Sequence, residues 1–397
     1  MINREYYLNK IIGFIDKDFV KLLIGVRRSG KSTLLMLLKQ HLISSGVSEN
    51  NIIEVNFEHM RFDSLKDGIK LHDWLDQRLK PNERYYLLFD EVQEINEWAR
   101  VINSVRVSYN VDIYATGSNS RIFIGEHLTY LAGRYVSFHI YPLSINEYMK
   151  FKNLAVFGIE EYRDYIKGSF PSFVLSDNEQ QKQDIMKDLY DSIFQRDILL
   201  RNDIRNEPTF VRVSQFLFEN IGRNVSFKKI SDTLKSLGNN IYHTTVENYI
   251  DSICKSYCLY HCPRYDVKGK QILQTNGKYY AVDLGLRDYI IPQQGINSGS
   301  MFENIIYLEL LKAGYKVTTG KIGRDYEIDF VASKGDKTLY IQVTESLIDP
   351  ATREREERVF NYINDKHKRI IVTLDSYKIN SPLYYHLNLV EFVDEIQ

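Results

Sequence analysis

The sequence predicts an α/β fold built on a parallel sheet, followed by smaller domains. Three observations predict it. Between residues 18 and 141 short β-rich runs alternate with helical stretches, a glycine-rich loop joins the first run to the first helix, and the third run ends in two adjacent acids. The runs at 19–24, 52–57, 85–89, 111–116 and 135–140 read as buried strands, with amphipathic segments such as 31–43 and 98–109 between them. Strands that alternate with helices need crossover connections, so the sheet is parallel and covered on both faces.

Composition bounds the rest. At 397 residues the chain exceeds the ~100–200 residues of one domain. Hydrophobic residues at 44% and charged residues at 26% are ordinary globular usage and exclude wholesale disorder. Fifty-one Lys and Arg against 52 Asp and Glu give a net charge of -1, so any nucleic-acid surface must be local. No apolar run approaches the ~18–20 residues that span a bilayer. The opening MINREYYLNK is too charged for a secretory signal. The expectation is a soluble, cytoplasmic, multidomain protein with no membrane partner.

Gly25-Val26-Arg27-Arg28-Ser29-Gly30-Lys31-Ser32 fits G-x-x-x-x-G-K-[ST] between a strand and a helix. Glycines let such a loop curl until successive N–H groups converge on phosphate oxygens at the helix N-terminus. Lys31 would reach the β- and γ-phosphates of ATP, and the Ser32 hydroxyl would ligate Mg²⁺. The expected nucleotide contacts are Gly25, Arg28, Ser29, Gly30, Lys31, Ser32, Thr33 and Asp90. Tyr85-Tyr86-Leu87-Leu88-Phe89-Asp90-Glu91 supplies the second half, an apolar strand ending in acids. Asp90 would hold the metal and Glu91 would polarise an attacking water. That pairing favours a hydrolysing enzyme over a kinase that merely holds nucleotide.

With GVRRSGKST (25–33), LLFDEVQEI (87–95), ATGSNS (115–120), LAGRY (131–135), YPLSINEY (141–148), FQRDI (194–198), YYAVDLGL (279–286) and EIDFV (327–331), the chain resembles a family of prokaryotic AAA+ P-loop ATPases. That family joins the ATPase to a C-terminal domain of unknown function related to nucleases. The resemblance covers nearly the whole chain. It implies a polar sensor after the fourth strand, Asn119 or Ser118, contacting the γ-phosphate or the water. It also implies an arginine finger at Arg134, acting in trans within a homo-oligomer. Arg196 is either a second sensor acting in cis or the partner of Asp197 in a structural salt bridge.

Pro142 ends the alternation, and the resulting division is an ATPase core at 1–142, a helical lid at 143–207, a winged helix at 208–294 and a nuclease-like domain at 295–397. The lid is broken at Gly168-Ser169-Phe170-Pro171. A helix at 226–237, a turn at Gly238-Asn239-Asn240, a helix at 244–255 and a hairpin give the winged-helix order. Residues 223–278 carry nine Lys or Arg against four Asp or Glu. Arg223, Lys228, Lys229, Lys235, Arg264, Lys268 and Lys270 would face DNA phosphates. The second helix offers Thr245, Glu247, Asn248, Asp251 and Ser252 outward, a poor set for reading bases. DNA or partner contact through the first helix and the wing stands beside a purely structural module. Cys254, Cys258 and Cys262 project no common face, carry no CxxC pair, and read as buried free thiols.

After a linker at 295–299, Glu303, Asp329 and the strand around Gln342 resemble the PD-(D/E)XK nuclease core. Gln342, thirteen residues after Asp329, stands where the second acid belongs, and Thr344 where the lysine belongs. Lys334 or Lys337 is available to migrate into that role, although both sit at a hairpin. The expectation is a non-cleaving domain. The signs in Glu354-Arg355-Glu356-Glu357-Arg358 alternate as on an exposed helix face. The leading functional expectation is Mg²⁺-dependent ATP hydrolysis coupled to conformational change on DNA or a protein partner. The alternatives are a slow nucleotide-dependent switch or DNA-binding regulator, and an ATP-coupled nuclease.

Overall fold

Five apolar runs pair edge to edge as β1 (Val20–Ile24), β2 (Ile52–Asn56), β3 (Tyr85–Asp90), β4 (Val111–Gly117) and β5 (Tyr135–His139). Their pairings are parallel and their order is β2-β3-β4-β1-β5. Every position of β1 and β3 is buried, as a strand covered on both faces requires. The cover comes from α1 (Glu5–Ile12), α2 (Lys31–Ser44), α3 (Gly68–Asp76) and α4 (Trp98–Ser108). Leu34, Leu35, Leu38 and Leu42 of α2 pack with Tyr7 and Ile11 of α1 against Leu23, Leu88 and Tyr114. Trp98, Val101, Ile102 and Val105 are the buried face of α4, which packs on β4. The Asp67 side chain starts α3 by accepting from Ile69 and Lys70 N–H at 2.9 and 3.2 Å.

The computed structural model describes residues 3–120, 130–202, 204–236, 238, 241–291, 298–323 and 325–397, with 273–276 as backbone alone. It divides into two units, Met1–Pro142 with Lys255–Tyr257, and Leu143–Cys254 with Cys258–Gln397. Asn239, Asn240 and residues 295–297, parts of the expected turn and linker, lie outside the described residues. The helix after that linker starts at Ser298, so the end of the expected linker is already helical.

The second unit begins with helices at Ile145–Lys152, Ile159–Tyr165, Pro171–Val174 and Glu179–Asp191, the last continuing as a π-helix over Ser192–Leu200. Ser144 and Glu147 close a capping box on the first of them. Helices Glu207–Glu219, Phe227–Ser236 and His243–Lys255 precede a hairpin of β6 (Leu259–Asp266) and β7 (Gln271–Ala281). In the helix His243–Lys255, Val246, Tyr249, Ile250 and Ile253 face the core as expected. Ser252 does not face outward: it is buried and bonds Asn248 O at 2.8 Å and Asn202 Oδ1 at 3.1 Å.

The hairpin continues into β8 (Lys316–Ile322), β9 (Tyr326–Lys334), β10 (Lys337–Val343), β11 (Lys368–Thr373) and β12 (Tyr385–Asn388), forming one mixed sheet ordered β12-β11-β10-β9-β8-β6-β7. A boundary at 294/295 therefore crosses a continuous sheet, because β6 pairs with β8 through Arg264, Tyr265 and Asp266. Sequence separation hides that pairing. The helix Ser298–Lys312 is apolar almost all round and buries Met301, Phe302, Ile305, Ile306, Tyr307 and Leu310. Among the described residues no helix is long and apolar enough to cross a membrane.

The parallel order carries one buried charge pair. Lys21 of β1 meets Asp112 of β4 at 2.5 Å with neither side chain exposed. The other Asp112 oxygen accepts from Asp16 N–H at 2.8 Å and Tyr114 O–H at 2.9 Å. Burial draws the Lys21 pKa down while Asp112 opposes the shift. Asp112→Ala strands that ammonium and is expected to cost about 3–5 kcal/mol, read as a lower urea midpoint. Lys21→Met with Asp112→Leu removes both charges and is expected to lose less than half as much.

Candidate nucleotide site

Parallel pairing puts the C-terminal ends of β1, β3 and β4 on one edge: Ile24 lies opposite Gly117, and Phe89 opposite Ala115. The loop at 25–30 leaves that edge from β1 and runs into α2. Gly25 has φ +139, and a Cβ there would lie 2.1 Å from Ile140 O, so β5 and the loop touch only because residue 25 has no side chain. Arg28 at φ 61 and Gly30 at φ 99 are left-handed and curl the chain around its own amides. Lys31 is buried and its ammonium bonds the carbonyls of Gly25 and Val26, each at 2.9 Å. The Ser29 hydroxyl is fully buried and has no partner among the described residues. Ser32 is exposed and Thr33 half-buried in the first turn of α2.

Arg4, a residue with no sequence signal, holds this loop from behind. It is 2% exposed, lies 4.6 Å above the Tyr7 ring, and donates to Ser29 O at 2.5 Å and Tyr141 O at 2.9 Å. In a trans peptide the carbonyl and the following N–H point opposite ways. Drawing the Ser29 carbonyl outward therefore turns the Gly30 N–H inward. His139 stacks on Tyr141 at 4.2 Å with Tyr257 against its edge at 4.7 Å. Burial, then the Lys31 charge, pushes its imidazole down to about 3.

Asp90 ends β3. Its carboxylate accepts from Thr116 Oγ1 at 2.5 Å, from Asn56 Nδ2 at 2.9 Å, and from the Ser32 hydroxyl. Burial still dominates and holds its pKa above the usual carboxylate value. Glu91 is buried, left-handed at φ 61, and donates its N–H to Thr116 Oγ1 at 2.9 Å. Glu91 Oε2 accepts from Ser118 Oγ at 3.0 Å and from Gln93 Nε2. Of the two sensor candidates, Ser118 thus touches Glu91, and Asn119 is buried beside it at 2% exposure. A serine hydroxyl and a carboxylate are hard oxygen donors, which suits Mg²⁺ shared with phosphates. Among the described residues no group of three or more His, Cys, Asp and Glu is placed to hold a metal unaided.

Comparison with known proteins agrees with this geometry. Residues 17–149 match a family described as an AAA domain, and residues 159–297 match a domain of unknown function, DUF8612. An uncharacterized protein of Haemophilus influenzae is 39% identical over 378 residues, covering 94% of this chain and 93% of its own. The chain belongs to that protein's family. An uncharacterized protein of Methanocaldococcus jannaschii is 29% identical over 375 residues, 91% of this chain and 81% of its own. The Walker-type ATPase of Pyrococcus abyssi superposes with TM-score 0.50 at 15% identity, covering 73% of this chain and 96% of that one, a likeness of fold. The first unit is accordingly an AAA domain of P-loop ATPase fold, and nucleotide binding belongs to that fold.

Arg134 is not brought to this AAA domain's own phosphate loop. Tyr135 pairs with Val20, at the opposite end of β1, about 13 Å along the strand from Ile24. Arg134 is exposed, and its guanidinium reaches Asn103 Oδ1 at 3.3 Å. Asp197 is buried with Arg201 at 3.5 Å, and its neighbour Arg196 is exposed.

The structure does bring Glu303, Asp329 and Gln342 together, around a residue the sequence did not single out. Lys278 of β7 reaches Glu303 and Glu327, each at 2.9 Å, and Asp329 at 3.9 Å. Burial disfavours its charge, but Glu303, Asp329 and Glu327 outweigh that and raise its pKa. Burial, then Glu303, raises Asp329 well above the usual value. Tyr280 donates to Glu303 at 2.5 Å. Gln342 Oε1 accepts from Asp329 N–H at 2.9 Å and its Nε2 donates to Glu356 at 2.6 Å. Glu356 is therefore buried, not part of an exposed face: one residue of the alternating-sign helix turns inward. Lys334 lies over the Tyr315 ring and Lys337 beside Glu395, so neither joins the cluster. Cys258 and Cys262 are buried and Cys254 is half-buried, with burial pushing the Cys254 and Cys262 thiols up to about 12.

Arg4→Met keeps the packing on Tyr7 and removes both charge-assisted bonds. Such bonds are worth about 1.5–3 kcal/mol, so ATP affinity is expected to fall at least tenfold in a fluorescent-nucleotide titration. An unchanged Kd would mean that the loop keeps its shape without Arg4.

Proposed function

We propose that the first unit hydrolyses ATP to ADP and phosphate with Mg²⁺. The observation that carries this is the pair of acids at the end of β3, each held by its own hydroxyls beside Ser32. The loop N–H groups and Lys31 bind the β- and γ-phosphates, with Arg28, Ser29 and Thr33 completing the loop. Ser32 and Asp90 would hold Mg²⁺, which when bound neutralises charge on the phosphate oxygens. Glu91 takes the proton of a water whose oxygen bonds to the γ-phosphorus as the bond to the β–γ bridging oxygen breaks. Ser118 and Asn119 report the γ-phosphate. Arg134, far from its own loop, is assigned to a neighbouring subunit's site in a homo-oligomer.

We further propose the helices 143–207 as a lid and the two helices with the β6–β7 hairpin as a winged helix. DNA contact there is supported by exposed Arg223, Lys228, Lys229, Lys235, Lys268 and Lys270. The sheet containing β8–β12 is proposed as a nuclease-like fold that does not cleave, since Lys278 takes the cation's place and both ends of the Gln342 amide are engaged.

Phosphate release by malachite green is expected from wild type and to fall at least 100-fold in Lys31→Ala and Glu91→Gln, with Glu91→Gln still binding ATP. No release by wild type, with or without DNA, overturns the reading. Because the Asp90 pKa is raised, Mg²⁺-dependent ATP affinity is expected to weaken as pH falls, starting above the usual carboxylate range. Asp90→Asn is expected to flatten that dependence in titrations across pH 5 to 8.

A further inference from the structure

We propose that Gln93 is a positioning residue for the attacking water, acting together with Glu91; the inference rests on the hydrolytic reading above. Gln93 lies in the 3-10 turn Val92–Glu94, directly after Glu91. The left-handed backbone of Glu91, at φ 61, is a costly conformation for a residue with a side chain. It folds the chain back so that side chains 91 and 93 lie alongside each other, and the Thr116 hydroxyl secures the turn through Glu91 N–H at 2.9 Å.

The amide of Gln93 has one chemically allowed orientation. Its Nε2 faces Glu91 Oε2 and lies 3.3 Å from Ser118 Oγ. A carboxylate only accepts, so the nitrogen must be on that side and Oε1 on the other. Glu91 Oε2 is then engaged by two donors, Ser118 and Gln93, which leaves Oε1 as the oxygen able to take a proton. Gln93 Oε1 is buried and takes no hydrogen bond from the described residues. Buried acceptors are rarely left unpaired.

A water in this account serves both groups. One O–H donates to Glu91 Oε1 and the other to Gln93 Oε1, unpartnered among the described residues, and two such contacts fix the orientation of the lone pair toward the γ-phosphate. Glu91 takes the proton, and Gln93 stays neutral throughout. Neither group binds nucleotide in this account, so the effect falls on kcat and not on affinity.

The experiment compares wild type, Gln93→Met, Glu91→Gln and the double variant in steady-state phosphate release, with nucleotide affinity and thermal midpoint measured on each. Gln93→Met is expected to lower kcat 10- to 100-fold while ATP affinity stays within twofold. Because Gln93 acts with Glu91 on one water, the double variant is expected to match Glu91→Gln alone. Should Gln93→Met melt early, Gln93→Asn keeps the amide but withdraws it, and is expected to lose kcat with the fold retained. A kcat within twofold of wild type, or losses that add in the double variant, overturns the role of Gln93. Wild type that releases no phosphate overturns the hydrolytic reading itself, a separate result.

Discussion

A loop that turns its amides toward an anion must have its carbonyls held from behind, because each planar peptide points its two polar groups in opposite directions. The first unit is organised around that need. Arg4 takes the Ser29 carbonyl, and Lys31 takes those of Gly25 and Val26. The same guanidinium takes the Tyr141 carbonyl just beyond β5, and Ile140 O leaves no room for a Cβ on residue 25. The β1–β5 pairing and the presence of α1 before the sheet are thus conditions for the loop's shape. Helix α1, packed through Tyr7 and Ile11, follows directly on Arg4 and so positions that guanidinium.

A related constraint separates the two acids after β3. Adjacent carboxylates in a buried site repel and lose hydration, so each needs its own donors. Thr116 serves both by accepting from Glu91 N–H while donating to Asp90. Asn56 and Ser32 then belong to Asp90, and Ser118 and Gln93 to Glu91. The parallel register of β2, β3 and β4 delivers these partners to one edge. Two chemically identical groups, one residue apart, acquire different surroundings and can perform different tasks.

The parts of this arrangement that the sequence announced are local ones. Five strands were legible because short β-rich runs alternate with amphipathic stretches, and the loop was legible because its glycines and Lys31 sit within eight residues. Arg4 was not, since its partners lie 25 and 137 residues away and α1 buries only two side chains in its span. Lys278 was counted into a basic stretch by position, yet it lies inside the sheet opposite Glu303. Glu356 was hidden by an alternation of signs that describes most of its helix but not that one residue. β12, four residues long with Tyr385 exposed, carries too little pattern to stand out. In each case the missing information is a long-range partner, which periodicity does not encode.

Two polar clusters in this molecule contain similar residues and differ in how far they are satisfied. In the sheet of the second unit, Lys278 answers Glu303 and Glu327, and the Gln342 amide is engaged at both ends. Charge and hydrogen bonding close within the chain, so a divalent cation would have to displace an ammonium that the surrounding acids hold firmly. In the first unit two groups stay open: the Ser29 hydroxyl in the loop and Gln93 Oε1 in the turn after β3 are buried without partners among the described residues. Open buried valences are costly for a fold to keep and make sense where a ligand or water completes them. The second acidic cluster, closed on itself, instead ties β7 to the helix Ser298–Lys312 and to β9.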